Sequence, residues 1–547
     1  MIRYDKNDLT LANVAAAFQK RLKAPMDVTL VIDPSLGKAT GKWEGGVASA
    51  SSYDQLYDVL GRLLRNPALP EGTYKSVKEF CTIYFASHFN NYMDMAPMDE
   101  LCEYIVDLAF WGMSAINIWF DMHFFRNPEE GRVKIDRLRE AFKFARKMGI
   151  LTILTTLSNE AWNDSVPALR ADWTPGHDGY VHPLNDHFHL EICPSKEGGM
   201  ELIKQYRREM LEAIRDAAPD YVAIGGYDEG GCTCTACAPW GGNGHLRTVR
   251  ELIPIYKEFF PNVRFILSAW QFGTYNQKTI EFDLLAEALK TDEAFRDVDY
   301  VISEPQYARY AYRPDVDMGR PLLTFPEISM YKMKPWGGYG ANPLPKMLDN
   351  LWQTYGPDKR LAGCVPYSEG LYEDLNKILI LRAYRDGQTS HDTIREYLAY
   401  ETGLTGELLE KTAKAVEAME ETHERVFDRA AHTAIIVNPE RVEEIEAAIT
   451  EADAAMSEAA RKNPRWRILL LRARVDGALK RAGFVRNAEV LSIYNELAVL
   501  CHLLEANGQS QRPDLDGDDD AGVYFVKPNQ ETGMDATPEE GRAKLKK

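Results

Sequence analysis

One rhythm limits what this chain can fold into. Between residue 80 and about residue 374, a short apolar run ends in polar or aromatic residues, and an amphipathic stretch usually follows. The runs are CTIYFASHF, AINIWFDMHF, LTILTTLSN, DYVAIGGYDE, RFILSAWQF, YVISEPQY, PLLTFPEIS and LAGCVPYSEG, eight in all. Helical spacing fits the stretches 99–111, 134–147, 200–217, 245–260 and 344–355, while the crossover after the sixth run looks too short for a full helix. Eight strands with intervening helices over ~250–300 residues predict an α/β fold of the closed (β/α)₈ TIM-barrel type. An open doubly wound sheet is the weaker fit, because no Gly-rich phosphate fingerprint follows the first strand.

The flanks differ from this core. Residues 1–76 read as a small N-terminal α/β domain: helical spacing over 8–23, a strand over Val28–Ile32, another around Val47, and a helix through Leu60 to Leu64 capped by Ser51 or Ser52. The barrel is assigned to 77–384 and a helical C-terminal domain to 385–508, with amphipathic segments at about 407–431, 440–461, 465–482 and 485–507. Residues 509–547 form a polar tail. Its aspartates depart from the EF-hand spacing and read as a solvated acidic stretch.

A net charge of −18 argues against a phosphate-binding surface of concentrated Lys and Arg, so no nucleic-acid partner is expected. No run approaches the ~18 apolar residues of a membrane span. The N-terminal stretch is broken by Gln, Lys and Arg too early for a signal peptide. A cytoplasmic protein without membrane association is the expectation.

Barrels of this kind hold their chemistry at the C-terminal ends of the strands. Those ends carry His88 and Asn91; Asp121 and His123; Asn159; Asp228 and Glu229; Trp270 and Gln271; Glu304 and Tyr307; Glu327; and Tyr367 and Glu369. Trp336 lies in a Trp-Gly-Gly turn on the same side, and Glu373, Asp374 and Asn376 follow just beyond. Carboxylates, amides and aromatic faces around one rim suit a sugar. Asp228–Glu229 is the leading catalytic pair: two adjacent acids repel, so one should stay protonated and serve as a general acid. Flanking glycines let the backbone bend there.

Gly225-Gly226-Tyr227-Asp228-Glu229 resembles the Gly-Gly-Asp-Glu strand-four motif of the family 20 β-N-acetylhexosaminidases, with Tyr227 inserted. The segment SYDQLYDVLGRLLR is similar to the N-domain helix of hexosaminidases and α-glucuronidases, and a helical domain after the barrel is similar to the α-glucuronidases. The resemblance implies an exo-acting glycosidase without an enzyme nucleophile. The substrate's 2-acetamido oxygen would attack the anomeric carbon, Glu229 would act as acid and then base, and Asp228 would hold the acetamido N–H. Trp270, Trp336 and Tyr307 would wall the pocket, with His88, Asn91, Asp121, His123, Asn159, Gln271, Tyr367 and Glu369 around the sugar. No cofactor is implied for catalysis, and a homodimer through the helical domain is implied by analogy.

Two other readings stay open. A two-carboxylate glycosidase would pair Glu229 with Glu327 or Glu304. A metal-dependent hydrolase or isomerase would use His182, His187 and His189 with Asp121 and His123. Separately, Cys232, Cys234 and Cys237 lie directly after the acid pair. With Cys193 as fourth ligand they can chelate a structural Zn²⁺; reduced cysteines packed in a tight loop are the alternative.

Overall fold

The computed structural model describes residues 1–87, 92–120, 130–161, 165–172, 191–227, 231–273, 280–303, 316–329, 342–368, 374–423, 425–428, 431 and 433–500. Eight strands run parallel and close on themselves: Phe80–Phe85, Ala115–Trp119, Leu151–Leu157, Tyr221–Gly225, Arg264–Ser268, Val298–Ile302, Leu322–Thr324 and Leu361–Cys364. Closure is the pairing of the eighth with the first, Gly363 beside Phe80 and Cys364 beside Cys81. This is the (β/α)₈ TIM barrel expected from the eight-fold rhythm. Its helices include Met98–Phe110, Glu130–Lys147, Gly199–Ala213, Gly244–Phe259 and Pro345–Tyr355, each within a few residues of its amphipathic stretch, and Ile280–Thr291, for which no stretch was named. Residues 304–315 of the sixth crossover lie outside the described residues.

Strands seven and eight each break once and resume. Phe325-Pro326 separates Leu322–Thr324 from Glu327–Ser329, and Val365-Pro366 separates Leu361–Cys364 from Tyr367–Ser368. Proline cannot donate to the ladder, so pairing is interrupted there, while the register is the same on both sides of the break: Thr324 pairs with Cys364 below it and Glu327 with Tyr367 above. The upper pieces pair again, Glu327 with Tyr367 and Tyr367 with Tyr84, and Tyr84 pairs in turn with Asn117 of strand two. Inside the barrel sits a separate apolar cluster that includes Phe80, Tyr84, Trp119, Ile153, Leu157, Ile266, Tyr300 and Leu323. At the N-terminal end the Phe80 and Tyr300 rings stack at 4.9 Å with 4° between their planes, and Tyr221 packs against both. That end is plugged.

The N-terminal domain is richer in strands than its sequence suggested. Ile2–Arg3, Val28–Ile32, Val47–Ala50, Thr40–Glu44 and Gly72–Lys75 form one sheet in that spatial order. Helices Leu9–Arg21 and Tyr53–Arg65 pack on it, the first capped by Asp8 accepting from Leu11 N, the second starting after Ser52. The second helix meets the barrel through buried ion pairs. Arg385 reaches Asp54 at 2.9 Å, Arg382 reaches Asp58 at 3.2 Å, and Arg62 bridges Asp58 and Asp386. Burial alone would raise the Asp58 carboxyl; Arg62 and Arg382 outweigh it and hold it below the ordinary carboxylate value.

After the barrel the chain is mainly helical: Ser390–Thr402, Gly406–Ala418, Val442–Ala455, Pro464–Arg481 and Ala488–Leu500. The helix expected over 407–431 ends at Ala418. Arg425–Asp428 and Thr433–Ile436 instead pair as an antiparallel hairpin. Val426, Phe427, Ile435 and Ile436 suit a pleated strand better than a helix. No described helix is long and apolar enough to cross a membrane.

Candidate active site

Of the rim residues named from the sequence, His88, Asn91, Asp121, His123, Asp228, Glu229, Glu304, Tyr307, Trp336 and Glu369 lie outside the described residues. The same holds for His182, His187, His189 and Glu373. Asn159, Trp270, Gln271, Glu327 and Tyr367 are described, as is the backbone that leads into the acid pair.

That backbone is held on several sides. Tyr227, the residue inserted before Asp228, is buried, and its phenol donates to Glu281 Oε1 at 2.5 Å. Its ring meets Phe272 edge-on at 5.9 Å. Glu281 is fully buried in the first turn of Ile280–Thr291 and also accepts the amides of Gly241 and Gly273, each at 2.7 Å. One carboxylate therefore ties the end of strand four, the loop after it and the loop after strand five. Three donors converge on it, so it suits the charged form's hydrogen bonds. Glu281 was not singled out in the sequence. It sits in IEFDLLAEALKT as an ordinary first-turn acid, and nothing local marks its partners.

The glycines answer to packing. A β-carbon on Gly226 would meet the His245 ring at 3.1–3.3 Å, and one on Gly231, at φ +108°, would lie 2.7 Å from Trp240. Trp240 Nε1 donates to the Gly226 carbonyl. His245 is fully buried, with Nδ1 2.9 Å from Ser158 Oγ, and burial lowers its pKa to about 3. The folded value lies below the unfolded one. Its contribution is therefore complete above about pH 6.5 and is lost as pH falls toward 3, at up to about 1.4 kcal/mol per pH unit. Denaturant midpoints between pH 7 and 4.5 should fall more steeply for the native chain than for His245→Gln, which stays neutral. Equal slopes in the two proteins would remove His245 from the acid sensitivity.

On the other side of the mouth the described side chains are aromatic. Trp270 lies 6.1 Å from Phe325, Phe325 5.6 Å from Tyr367, and Tyr367 5.1 Å from Tyr84. Trp270, Phe325 and Tyr367 are half-buried and Tyr84 is buried. The structure thus brings together two residues expected at the rim, Trp270 and Tyr367, and adds Phe325 and Tyr84. Phe325 was legible only as a strand residue before a proline; the break it shares with Pro326 is what places it in the arc. Such faces suit the apolar side of a pyranose ring. Trp270→Ala and Phe325→Ala should each weaken ligand binding by about tenfold, the loss of about 1–2 kcal/mol of ring contact, with little change in melting temperature. Sugar titrations by calorimetry check this.

Glu327 is 5% exposed. It shares a register row with Tyr367 and Tyr84, whose rings belong to the interior cluster or pack on it. Gln271 occupies φ +62°, a left-handed conformation that costs a non-glycine residue about 1–2 kcal/mol, in the turn beside Trp270.

Asn159 and Asn376, read from the sequence among the rim groups, and Asp374, read as a cap of the following helix, have structural ties. Asn159 is buried, and its amide donates to the Ile192 and Gly231 carbonyls, so it braces the strand-four loop where sugar contact was expected. Asn376 donates to the Ile328 and Asn342 carbonyls and accepts from Leu344 N. Asp374 opens the helix Asp374–Asp386, as expected of an acid in a first turn. It accepts from Tyr104, Tyr397 and Arg465, which anchors the helical domain.

Cys193, Cys232, Cys234 and Cys237 come together between the loops after strands three and four, their sulfurs all within 4.8 Å of one another.

No protein-family model matches the chain, and no curated protein matches it. Solved structures do. A family 89 glycoside hydrolase from Clostridium perfringens, two of its glutamates replaced by glutamine, in complex with its substrate GlcNAc-α-1,4-galactose, is similar at a TM-score of 0.59 and 11% identity, over 91% of this chain and 65% of that one. The same family's complex with 2-acetamido-1,2-dideoxynojirmycin gives a TM-score of 0.58 and 12% identity over the same shares of the two chains. A family 138 enzyme targeting pectin rhamnogalacturonan II gives 0.54 and 9%, over 100% of this chain and 78% of that one. This chain spans slightly less than two thirds of the family 89 chain. The likeness is one of fold, and the (β/α)₈ barrel of this chain is of the kind found in those glycoside hydrolases.

Proposed function

We propose that this chain is a glycoside hydrolase that removes a terminal 2-acetamido sugar, with Glu229 as general acid and Asp228 beside it. One observation carries most of the weight: a barrel plugged at its N-terminal end, with Trp270, Phe325, Tyr367 and Tyr84 in one aromatic arc toward its C-terminal end and its strand-four end tied by Tyr227 and Glu281. The fold shared with a hydrolase solved with a GlcNAc-containing substrate supports the choice of sugar.

In this reading the aromatic arc holds the ring. Glu229 gives its proton to the departing oxygen while the acetamido oxygen closes on the anomeric carbon. Asp228 holds the acetamido N–H as charge develops, and Glu229 then takes a proton from water, which opens the bicyclic intermediate. No cofactor is needed for these steps. The ties on Tyr227 keep the acid in place, because catalysis of this type depends on sub-ångström placement.

A second reading pairs Glu229 with Glu327 as nucleophile, and Glu304 is the alternative partner. The interior-facing row of Glu327 favours it, as does the pair of glutamates replaced in the family 89 complex. Aryl glycosides separate the two: α- and β-GlcNAc, β-GalNAc, β-glucose, β-galactose and glucuronides. Turnover confined to 2-acetamido sugars supports substrate assistance. Turnover of sugars lacking that group transfers the second role to Glu327 or Glu304. Absence of both turnover and binding across the panel and a glycan library would end the glycosidase reading.

A further inference from the structure

We propose that Cys193, Cys232, Cys234 and Cys237 form a closed tetrathiolate Zn²⁺ site that clamps the strand-four loop to the loop after strand three. Four sulfurs about 2.3 Å from a central zinc make a tetrahedron with edges of about 3.8 Å. Cys193 Sγ lies 3.8 Å from Cys234 Sγ and 3.8 Å from Cys237 Sγ, and all four sulfurs fall within 4.8 Å of one another. Disulfide sulfurs would stand at about 2.05 Å. These are instead four unlinked thiols around one centre.

The surroundings suit thiolate ligands. The backbone turns tightly around the cluster: the Lys196 amide donates to the Cys193 carbonyl at 3.3 Å and the Cys237 amide to the Cys234 carbonyl at 2.9 Å. Ser195 Oγ lies 3.0 Å from Cys237 Sγ, and Arg247 donates to Ser195 Oγ at 2.6 Å and to Cys237 Sγ at 3.7 Å. Zinc with four thiolates carries two negative charges, and the Arg247 guanidinium stands where it offsets part of them. Donors to the ligand sulfurs of this kind orient and hold a metal site. Three of the four cysteines are buried and Cys234 is half-buried. With all four positions filled by protein, no coordination site is left for substrate, so the centre is structural.

Its place in the chain gives it a consequence. Cys232 follows Glu229 by three residues, and Asn159 holds the intervening Gly231 carbonyl at 3.4 Å. The metal would fix one side of the turn that carries the acid pair while Glu281 fixes the other. Binding would release the thiol protons, so affinity falls as pH falls. The site stands whether or not the chain is a glycosidase, because its readout is the metal.

The test uses the full chain. Elemental mass spectrometry after dialysis into metal-free buffer should find about one zinc per chain, and cobalt added to metal-stripped protein should give intense thiolate-to-cobalt absorption at about one equivalent. Cys193→Ser and Cys234→Ser should lose most of the bound metal, and stripping should lower the melting temperature of the native chain only. Absence of both zinc and the cobalt band in the native chain would overturn the proposal, a result that needs no variant to fold. So would undiminished metal in a folded Cys193→Ser, Cys234→Ser double variant, or disulfides among the four cysteines in a non-reducing peptide map.

Discussion

Glu229→Gln should lower kcat on the preferred substrate by about 10²–10⁴-fold with KM nearly unchanged and the melting curve intact. The amide keeps the size of the side chain and its capacity to hydrogen bond but cannot deliver a proton. Leaving-group dependence sharpens the result. Aryl glycosides with very acidic phenols need little protonation and should keep far more activity than alkyl or disaccharide substrates. Asp228→Asn should instead act on 2-acetamido substrates regardless of leaving group. If Glu229→Gln retained native rates on a disaccharide substrate, the acid would have to be sought elsewhere on the rim, and Glu327 and Glu304 would be next.

The second large effect is structural at its origin. Glu281→Ala leaves the Tyr227 phenol and the Gly241 and Gly273 amides without their shared acceptor in a buried site. Hydrogen bonds to a charged group contribute about 1.5–3 kcal/mol each, and stranded buried donors add to the loss, so a cost of about 3–5 kcal/mol in denaturant unfolding is expected. Activity should fall further than stability alone explains, about 10²-fold, because the turn before Asp228 loses its anchor. Tyr227→Phe removes one of the three bonds and keeps the ring against Phe272. It should cost about 1.5–3 kcal/mol and show the same bias of kcat over KM. Native kcat in a folded Glu281→Ala protein would show that the tie serves stability only.

The barrel was legible because its strands are bounded apolar runs and its helices are amphipathic, and both periods are local properties of the sequence. The same local pattern misread 425–436. Acidic and alanine-rich neighbours suggested a continuing helix, yet the β-branched and aromatic residues of Arg425–Asp428 and Thr433–Ile436 formed a hairpin. Long-range ties were illegible for a different reason. Glu281 lies 54 residues from Tyr227, and Asn159 lies 72 residues from Gly231, so only the closed barrel brings the partners together. Trp270 and Tyr367 were named from strand ends alone, whereas the contacts that join Phe325 and Tyr84 to them needed the closed barrel. Asn159 and Asn376 show the limit of reading from strand ends: a polar residue there can face backbone carbonyls as readily as the mouth.

The seam where the barrel closes has a bearing on how the chain is made. Thr82 Oγ1 donates to the Cys364 carbonyl across 282 residues of sequence, and the helix just after the seam carries Arg382 and Arg385, the partners of Asp58 and Asp54 in the N-terminal domain. During synthesis the first strand therefore waits with one edge uncovered, Asp54 waits without Arg385, and Asp58 has only Arg62 of its two cations, until almost four hundred residues have been joined. Contacts of such sequence separation form slowly, and an open parallel edge invites pairing with other chains. The nascent protein should depend on chaperones until the helix Asp374–Asp386 emerges, and then close the barrel and dock the N-terminal domain in one cooperative event.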